Sequence, residues 1–216
     1  MEDAELIVRW FGQASILMKT LGKNIYVDPY AGKYTEKADM ILVTHGHPDH
    51  CDIEKILSIS QPDTVILTSA ECLKKLSGNV EVLAPGETRE VKGIKIVGVE
   101  AYNVKRFRSP GIPYHPKGTQ VGFLVEAEGK IIYHAGDTDF LPSMKRLGKI
   151  GVALIPIGGK FTMDLDEAVA ATLAINPKTV VPIHRLGADV KVFKEKVEGQ
   201  SSIKVAALAE GEDLKL

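Results

Sequence analysis

The chain has 216 residues, 44% hydrophobic and 25% charged, with a formal net charge of −1, enough apolar material for one ordinary core spanning residues 1–216. A charge so close to zero disfavours a general polyanion binder, nucleic acid included, and no apolar run reaches the length that crosses a bilayer. The acidic start Met1-Glu2-Asp3 lacks the layout of a secretion signal, and two cysteines, Cys51 and Cys72, are too few for a disulfide framework, so a cytoplasmic protein is expected.

Residues 6–10, 15–19 and 24–27 read as short strands separated by Gly12 and Gly22, an antiparallel meander that turns at Asp28-Pro29. The apolar run Met40-Ile41-Leu42-Val43 predicts a buried strand. Asp52 is a candidate N-cap for a short helix with Ile53, Ile56 and Leu57 on one face, closed before Pro62. Residues 64–68 follow as a strand and 69–76 as a second helix ending at Gly78. Residues 80–83, 88–91, 94–99, 121–126 and 130–134 are further strands, the last two joined by a turn at Glu128-Gly129. The final third alternates: strand 152–155, helix 165–175 started by Asp164, strand 179–182, helix 189–197 and strand 203–207. Two sheets face to face, with helices outside each, would bring the C-terminal ends of strands from both halves to one edge.

One such end carries the chain's densest chemistry. Directly after the strand at Met40 comes Thr44-His45-Gly46-His47-Pro48-Asp49-His50, which holds three of the six histidines. Gly46 permits close backbone approach and Pro48 stiffens the turn that leads to Asp49. Alternate residues of an extended segment point the same way, so His45 and His47 can share one cation while Asp49 and His50 meet a second. The donor set favours zinc and is compatible with iron, nickel or manganese. Cys51 adjoins the cluster and is read as a packing residue, because the histidines and Asp49 already fill the ligand positions. His134, inside an apolar strand, is read as a buried hydrogen-bonded group.

In this order the motifs resemble the metallo-β-lactamase fold hydrolases over nearly the whole chain. The opening strands with Asp28-Pro29, the T-H-G-H-P-D-H segment, H-A-G-D-T at His134 to Thr138 and V-V-P-I-H at Val180 to His184 carry the resemblance. The compact branch near the ascorbate-phosphate lactonase and N-acyl-phosphatidylethanolamine phospholipase D relatives is the most similar. The resemblance implies an α/β fold, an αββα sandwich of two mixed sheets, with a two-metal site at one sheet edge. It further implies that His45, His47 and a third histidine hold the first metal, Asp49, His50 and His184 the second, and that Asp137 bridges them.

The third histidine departs from the pattern. Many relatives place it soon after the strand that ends near Val99; this chain has Asn103 there, and His115 is the remaining candidate. Gln13 departs too, where several relatives have histidine. Asp28 is a candidate to orient a metal-bound histidine, with simple turn capping as the alternative. Between Asn103 and Lys117, the cations Lys105, Arg106 and Arg108 among Pro110, Gly111 and Pro113 suggest a basic lid that meets an anionic substrate, or else a solvated basic loop. Gly158-Gly159-Lys160 before a helix is a second candidate anion contact.

The expected function is hydrolysis of an anionic small-molecule ester, lactone or phosphodiester by a hydroxide held between two divalent metals, with Asp49 and Asp137 as catalytic carboxylates. The alternatives are a nuclease resembling ribonuclease Z, for whose RNA-gripping arm the chain has no spare length, and a non-hydrolytic metal-binding or iron oxygenase protein on the same scaffold. A homo-oligomer is left open.

Overall fold

The computed structural model describes residues 6–216, and the acidic start Met1-Glu2-Asp3 lies outside them. In chain order the strands are β1 (Ile7–Gly12), β2 (Ser15–Thr20), β3 (Lys23–Val27), β4 (Met40–Val43), β5 (Val65–Thr68), β6 (Asn79–Val82), β7 (Thr88–Val91) and β8 (Ile94–Val99). They continue as β9 (Phe107–Ser109), β10 (Ile112–Pro113), β11 (Gly122–Ala127), β12 (Lys130–His134), β13 (Val152–Pro156), β14 (Thr179–Ile183), β15 (Lys204–Val205) and β16 (Asp213–Lys215). Helices α1 (Ile53–Ile59), α2 (Leu165–Ile175) and α3 (Val190–Glu198) complete the set with a 3-10 turn at Pro142–Arg146.

One sheet has the order β16-β1-β2-β3-β4-β5-β6, the other β15-β14-β13-β12-β11-β8-β7, while β9 and β10 form a separate hairpin. The expected meander is present: β1, β2 and β3 pair antiparallel, with Ile16 opposite Val27 and Arg9 opposite Leu17. From β3 to β6 the pairing is parallel, as it is from β12 to β15. Both sheets are therefore mixed.

Strand alternation builds the layers. Met40 and Leu42 of β4 join Ile16, Met18, Ile25, Val27 and Leu67 against Ile94, Ile96, Phe123, Val125, Ile132, Leu154, Val181 and Ile183 of the other sheet, which makes the central core. Ile41 and Val43 point the opposite way and meet Ile56 and Ile59 of α1. On the far side Tyr133, Ala153, Ile155 and Val180 face Ala168, Ala171 and Ile175 of α2 and Phe193 and Val197 of α3. The result is helix, sheet, sheet, helix, in which inner strands buried on both faces read as continuous apolar runs. All three helices start where a side chain accepts a backbone N–H: Asp52 from Lys55, Asp164 from Glu167, and Asp189 from Lys191 and Val192.

The helix expected at 69–76 is a string of turns instead. Cys72 N donates to the Ser69 carbonyl and Lys75 N to that of Cys72, a three-residue spacing that does not propagate as an α-helix. Tertiary contacts override the apolar spacing: Lys75 Nζ is drawn to the Gly46 carbonyl at 2.6 Å, and Cys72 is buried in the cluster that holds Cys51. The strand expected at 203–207 shortens to Lys204–Val205, and β16, the β9–β10 hairpin and the 3-10 turn were not anticipated. No helix among the described residues is long and apolar enough to cross a membrane.

The connection between β6 and β7 packs tightly on β8, where a Cβ added to Gly98 would stand 2.4 Å from the Ala84 carbonyl oxygen. Backbone cannot retreat as a flexible side chain can, so Gly98→Ala is expected to cost about 1–3 kcal/mol, read as a lower urea midpoint with an unchanged slope.

Candidate metal centre

Four segments bring the chemistry together: the loops after β4, β10 and β12, and the end of β14. His45, His50, Asp137, His184 and His115 are all buried, while Asp49 is half-exposed. The possible donor groups are His45 with His47 and His115, His45 with His50 and Asp137, and Asp49 with His50 and His184, with the donor atoms in each group within 4.8 Å of one another. Every sequence-predicted ligand is thus in one place, including His115, which arrives from a distant loop.

The hydrogen bonds decide which ring nitrogen faces inward. Thr44 Oγ1 lies 2.7 Å from Asp28 Oδ2, and since the carboxylate only accepts, the hydroxyl donates there and accepts from His45 Nδ1 at 2.9 Å. The His50 Nδ1–H donates to Asp28 Oδ2 at 2.7 Å, and the His115 Nδ1–H donates to Asn103 Oδ1 at 2.9 Å. All three rings therefore present Nε2 to the centre. Asp28 does more than cap a turn, because its other oxygen accepts from Thr44 N at 2.7 Å.

That arrangement has more lone pairs than protons. His47 Nδ1 stands 3.0 Å from His45 Nε2 and 3.2 Å from His115 Nε2, and one proton on His47 can satisfy only one of them. Nitrogens bound at about 2.0–2.1 Å on a tetrahedron stand roughly 3.3 Å apart, so the spacing fits a shared cation. Nearby, His50 Nε2 and Asp137 Oδ1 face each other at 3.4 Å, buried and without hydrogen-bond partners. Asp137 Oδ2 lies 3.2 Å from His184 Nε2 and 3.5 Å from His115 Nε2, and Asp49 Oδ2 lies 3.7 Å from His50 Nε2 and 3.8 Å from His184 Nε2. The residues fit a pair of cations.

Electrostatics point the same way. Burial pushes His45 well below its ordinary pKa and takes His115 down to about 4, which keeps both rings neutral, as ligands must be. Burial acts on His50 too, but Asp137 and Asp28 outweigh it and raise its pKa well above the usual value. Burial likewise opposes the Asp137 carboxylate, yet His50 and His184 hold it well below the usual range. Without metal, His50 and Asp137 form an ion pair.

The other candidates separate. Arg108 lines the cavity of about 360 Å³ above this centre, with Tyr114, Phe161, His47, Asp49, His115, Asp137 and His184. Arg106 does not line it; its guanidinium bonds Asp139, Glu167 and Asp164. Lys160 rests 5.0 Å over the Phe161 ring, and the Gly159 N–H is committed to the Met163 carbonyl, so Gly158-Gly159 offers no anion cradle at that amide. Gly158 serves close approach instead, since a Cβ there would meet the His184 carbonyl oxygen at 2.5 Å. His134 is fully buried, with Nε2 against the Ala14 carbonyl and Nδ1 accepting from Gly136 N. Cys51 is buried against Cys72 and belongs to none of the donor groups.

The sequence reading missed Gln120, Asp139 and Glu167, and flagged Gln13 as a departure without finding its partner. Gln13 donates from Nε2 to Asp49 Oδ2 at 2.7 Å, and Gln120 donates to the Asp137 carbonyl. Asp139, fully buried, accepts from Asn103 Nδ2, Val104 N, Lys105 N and Arg106. Glu167 faces Arg106 from α2. Of the three missed residues only Asp139, two positions after Asp137, had a sequence signal.

Residues 7–184 match the Beta-lactamase superfamily domain. The chain is 33% identical to a UPF0173 metal-dependent hydrolase of Methanoregula boonei, across 95% of this chain and 96% of that one. A candidate metal-dependent hydrolase of Parabacteroides distasonis superposes with a TM-score of 0.86 at 31% identity, covering 93% of this chain and 91% of the other. A metallo hydrolase of the hyperthermophilic archaeon Ignicoccus hospitalis does so at 0.82 and 27%, covering 98% of each.

Asp139 gathers the loop that carries Asn103 and Arg106, so its loss strands buried donors and part of the Arg106 charge. Asp139→Ala is expected to cost about 3 kcal/mol or more, measured by chemical denaturation of the metal-free protein.

Proposed function

Because the chain belongs to the β-lactamase superfamily, as a metal-dependent hydrolase of the UPF0173 group, we propose that it is a two-metal hydrolase of a small anionic ester, lactone or phosphodiester, contained in a single domain. His45, His47 and His115 would hold the first cation and Asp49, His50 and His184 the second, with Asp137 placed to serve both and zinc the first expectation. The observation that carries this reading is the convergence of inward imidazole lone pairs on Asp137 with too few protons to pair them. When bound, such cations acidify water to a pKa of roughly 7 and polarise the oxygen of the scissile group.

The chain's own residues do the rest. Asp49 is fixed by the Gln13 amide through Oδ2, which leaves Oδ1 to accept the proton of the attacking water and pass it to the leaving oxygen as the ester bond breaks. Asp28, Thr44 and Asn103 hold three imidazoles in the tautomer that points Nε2 inward. A cavity of about 360 Å³ lies at the small end of the range for small-molecule sites. Two divalent cations, two carboxylates and one hydroxide leave about one net positive charge, which favours an anionic substrate.

Elemental analysis of protein purified without chelator, coupled to a screen of phosphodiester, lactone and ester substrates, tests the reading. We expect two metals per chain, a loss of one in His115→Ala, and roughly 10–100-fold weaker metal affinity in Asn103→Ala. Full metal content and affinity in His115→Ala would remove it from the ligand set.

Metal uptake is also expected to release a proton. The raised pKa of His50 keeps the metal-free ring charged at neutral pH, whereas a ligand ring is neutral. Titration calorimetry in buffers of differing ionisation enthalpy should therefore report about one proton expelled from His50 at pH 7, and apparent metal affinity that weakens as pH falls.

A further inference from the structure

Arg106 and Arg108 stand two residues apart, on the same side of an extended segment, and the intervening Phe107 is exposed. Their surroundings differ in kind. Arg106 is nearly buried among Asp139, Glu167 and Asp164, so its charge is taken up in pinning the hairpin to the body. Arg108 makes one hydrogen bond, from its guanidinium to the Tyr114 carbonyl at 3.1 Å, and pairs with no carboxylate among the described residues. Arg108 also lines the cavity whose floor is the metal centre.

The wall beside it is aromatic. Tyr114 and Phe161 line the same cavity and meet edge to face at 4.8 Å between ring centroids. Tyr114 also precedes His115, and its N–H donates to the Arg106 carbonyl at 3.2 Å. The bond that orients Arg108 therefore reaches the segment that delivers a proposed metal ligand. Arg108 is itself exposed, so its guanidinium is open to a ligand that enters the cavity.

We infer that Arg108 is a specificity-determining residue: it binds a carboxylate or phosphate on the non-reacting end of the substrate, while an apolar or planar spacer rests on Tyr114 and Phe161 and the scissile group lies over the histidines. This rests on the hydrolase reading and narrows its substrate class to molecules with a second, permanently charged oxyanion. Arginine suits that task because its planar fork meets two oxygens at once.

The test compares two nitrophenyl esters on the zinc-loaded full chain: the glutarate monoester, which keeps a free carboxylate, and its neutral counterpart with an isopropyl group in that carboxylate's place. The wild type should favour the charged ester in kcat/KM by roughly tenfold or more, and Arg108→Gln should bring the ratio near one. Reading the ratio cancels any general loss of rate. Calorimetric titration with glutarate itself should show binding roughly tenfold weaker in Arg108→Gln. A wild-type ratio near one, a ratio unchanged in the variant, or glutarate affinity indifferent to the substitution overturns the inference. If the wild type turns over neither ester, that counts against ester hydrolysis, and the glutarate titration still decides whether Arg108 is an anion anchor.

Discussion

A buried imidazole whose lone pair faces another lone pair is unstable by itself, and the architecture around the β4 loop enforces that confrontation. Asp28 fixes the Nδ1 atoms of His45 and His50, one through Thr44 and one directly. Asn103 does the same for His115. With those protons committed outward, the inward nitrogens can be reconciled only by a cation or by protons taken up from water. The folded chain takes up one at His50, which pairs with Asp137 across 3.4 Å. Metal and proton thus compete for the same lone pairs, and the outer hydrogen bonds set the terms of that competition.

The same logic explains the segment from Asn103 to His115. It carries a proposed ligand, a cavity wall and the cavity's one arginine, yet its own secondary structure is a short hairpin of two and three residues per strand. A two-stranded ribbon is marginal alone. Its rigidity comes from Asp139, whose two oxygens gather Asn103, Val104, Lys105 and Arg106, and from Glu167 and Asp164 on and before α2. Such a buried network contributes little net stability but strongly penalises any other arrangement. Its value is positional: the guanidinium of Arg106 keeps Asn103 and His115 aimed at the centre.

What the sequence made legible was local. His184, directly after β14, came from the resemblance, whereas His45 to His50 stand out by their density after a buried strand and Asp137 by its place just past a strand end. The layered fold was legible for the same reason, since Met40 to Val43 and Val152 to Pro156 are apolar on both faces. Long-range pairing was not. Arg106 reads as one cation of a basic loop because its partners lie 33, 58 and 61 residues away. Gln13 meets Asp49 across 36 positions. The turns at 69–76 had helical spacing of apolar residues, but Lys75 and Cys72 are held by the metal loop and its neighbour, and tertiary anchoring outweighed propensity.

Three of the eight left-handed non-glycine residues among the described residues lie at this corner of the molecule. Gln13, Asp28 and His184 are non-glycine residues with left-handed φ of 47°, 45° and 45°, a conformation that costs on the order of 1–3 kcal/mol each. All three touch the centre or its outer bonds. Each is over-determined by backbone contacts: Asp28 N donates to the Leu42 carbonyl, and His184 N to the Gln13 carbonyl, which also accepts from Trp10 Nε1. Regular alternation would turn a strand's next side chain to the opposite face, whereas a left-handed step at the strand end redirects it over the sheet edge. Gly158 then lets the His184 carbonyl approach where a Cβ would collide at 2.5 Å. The two stacked sheets hold these corners because their cores are buried on both faces, so the strain at the edge persists as geometry and does not relax into a different fold.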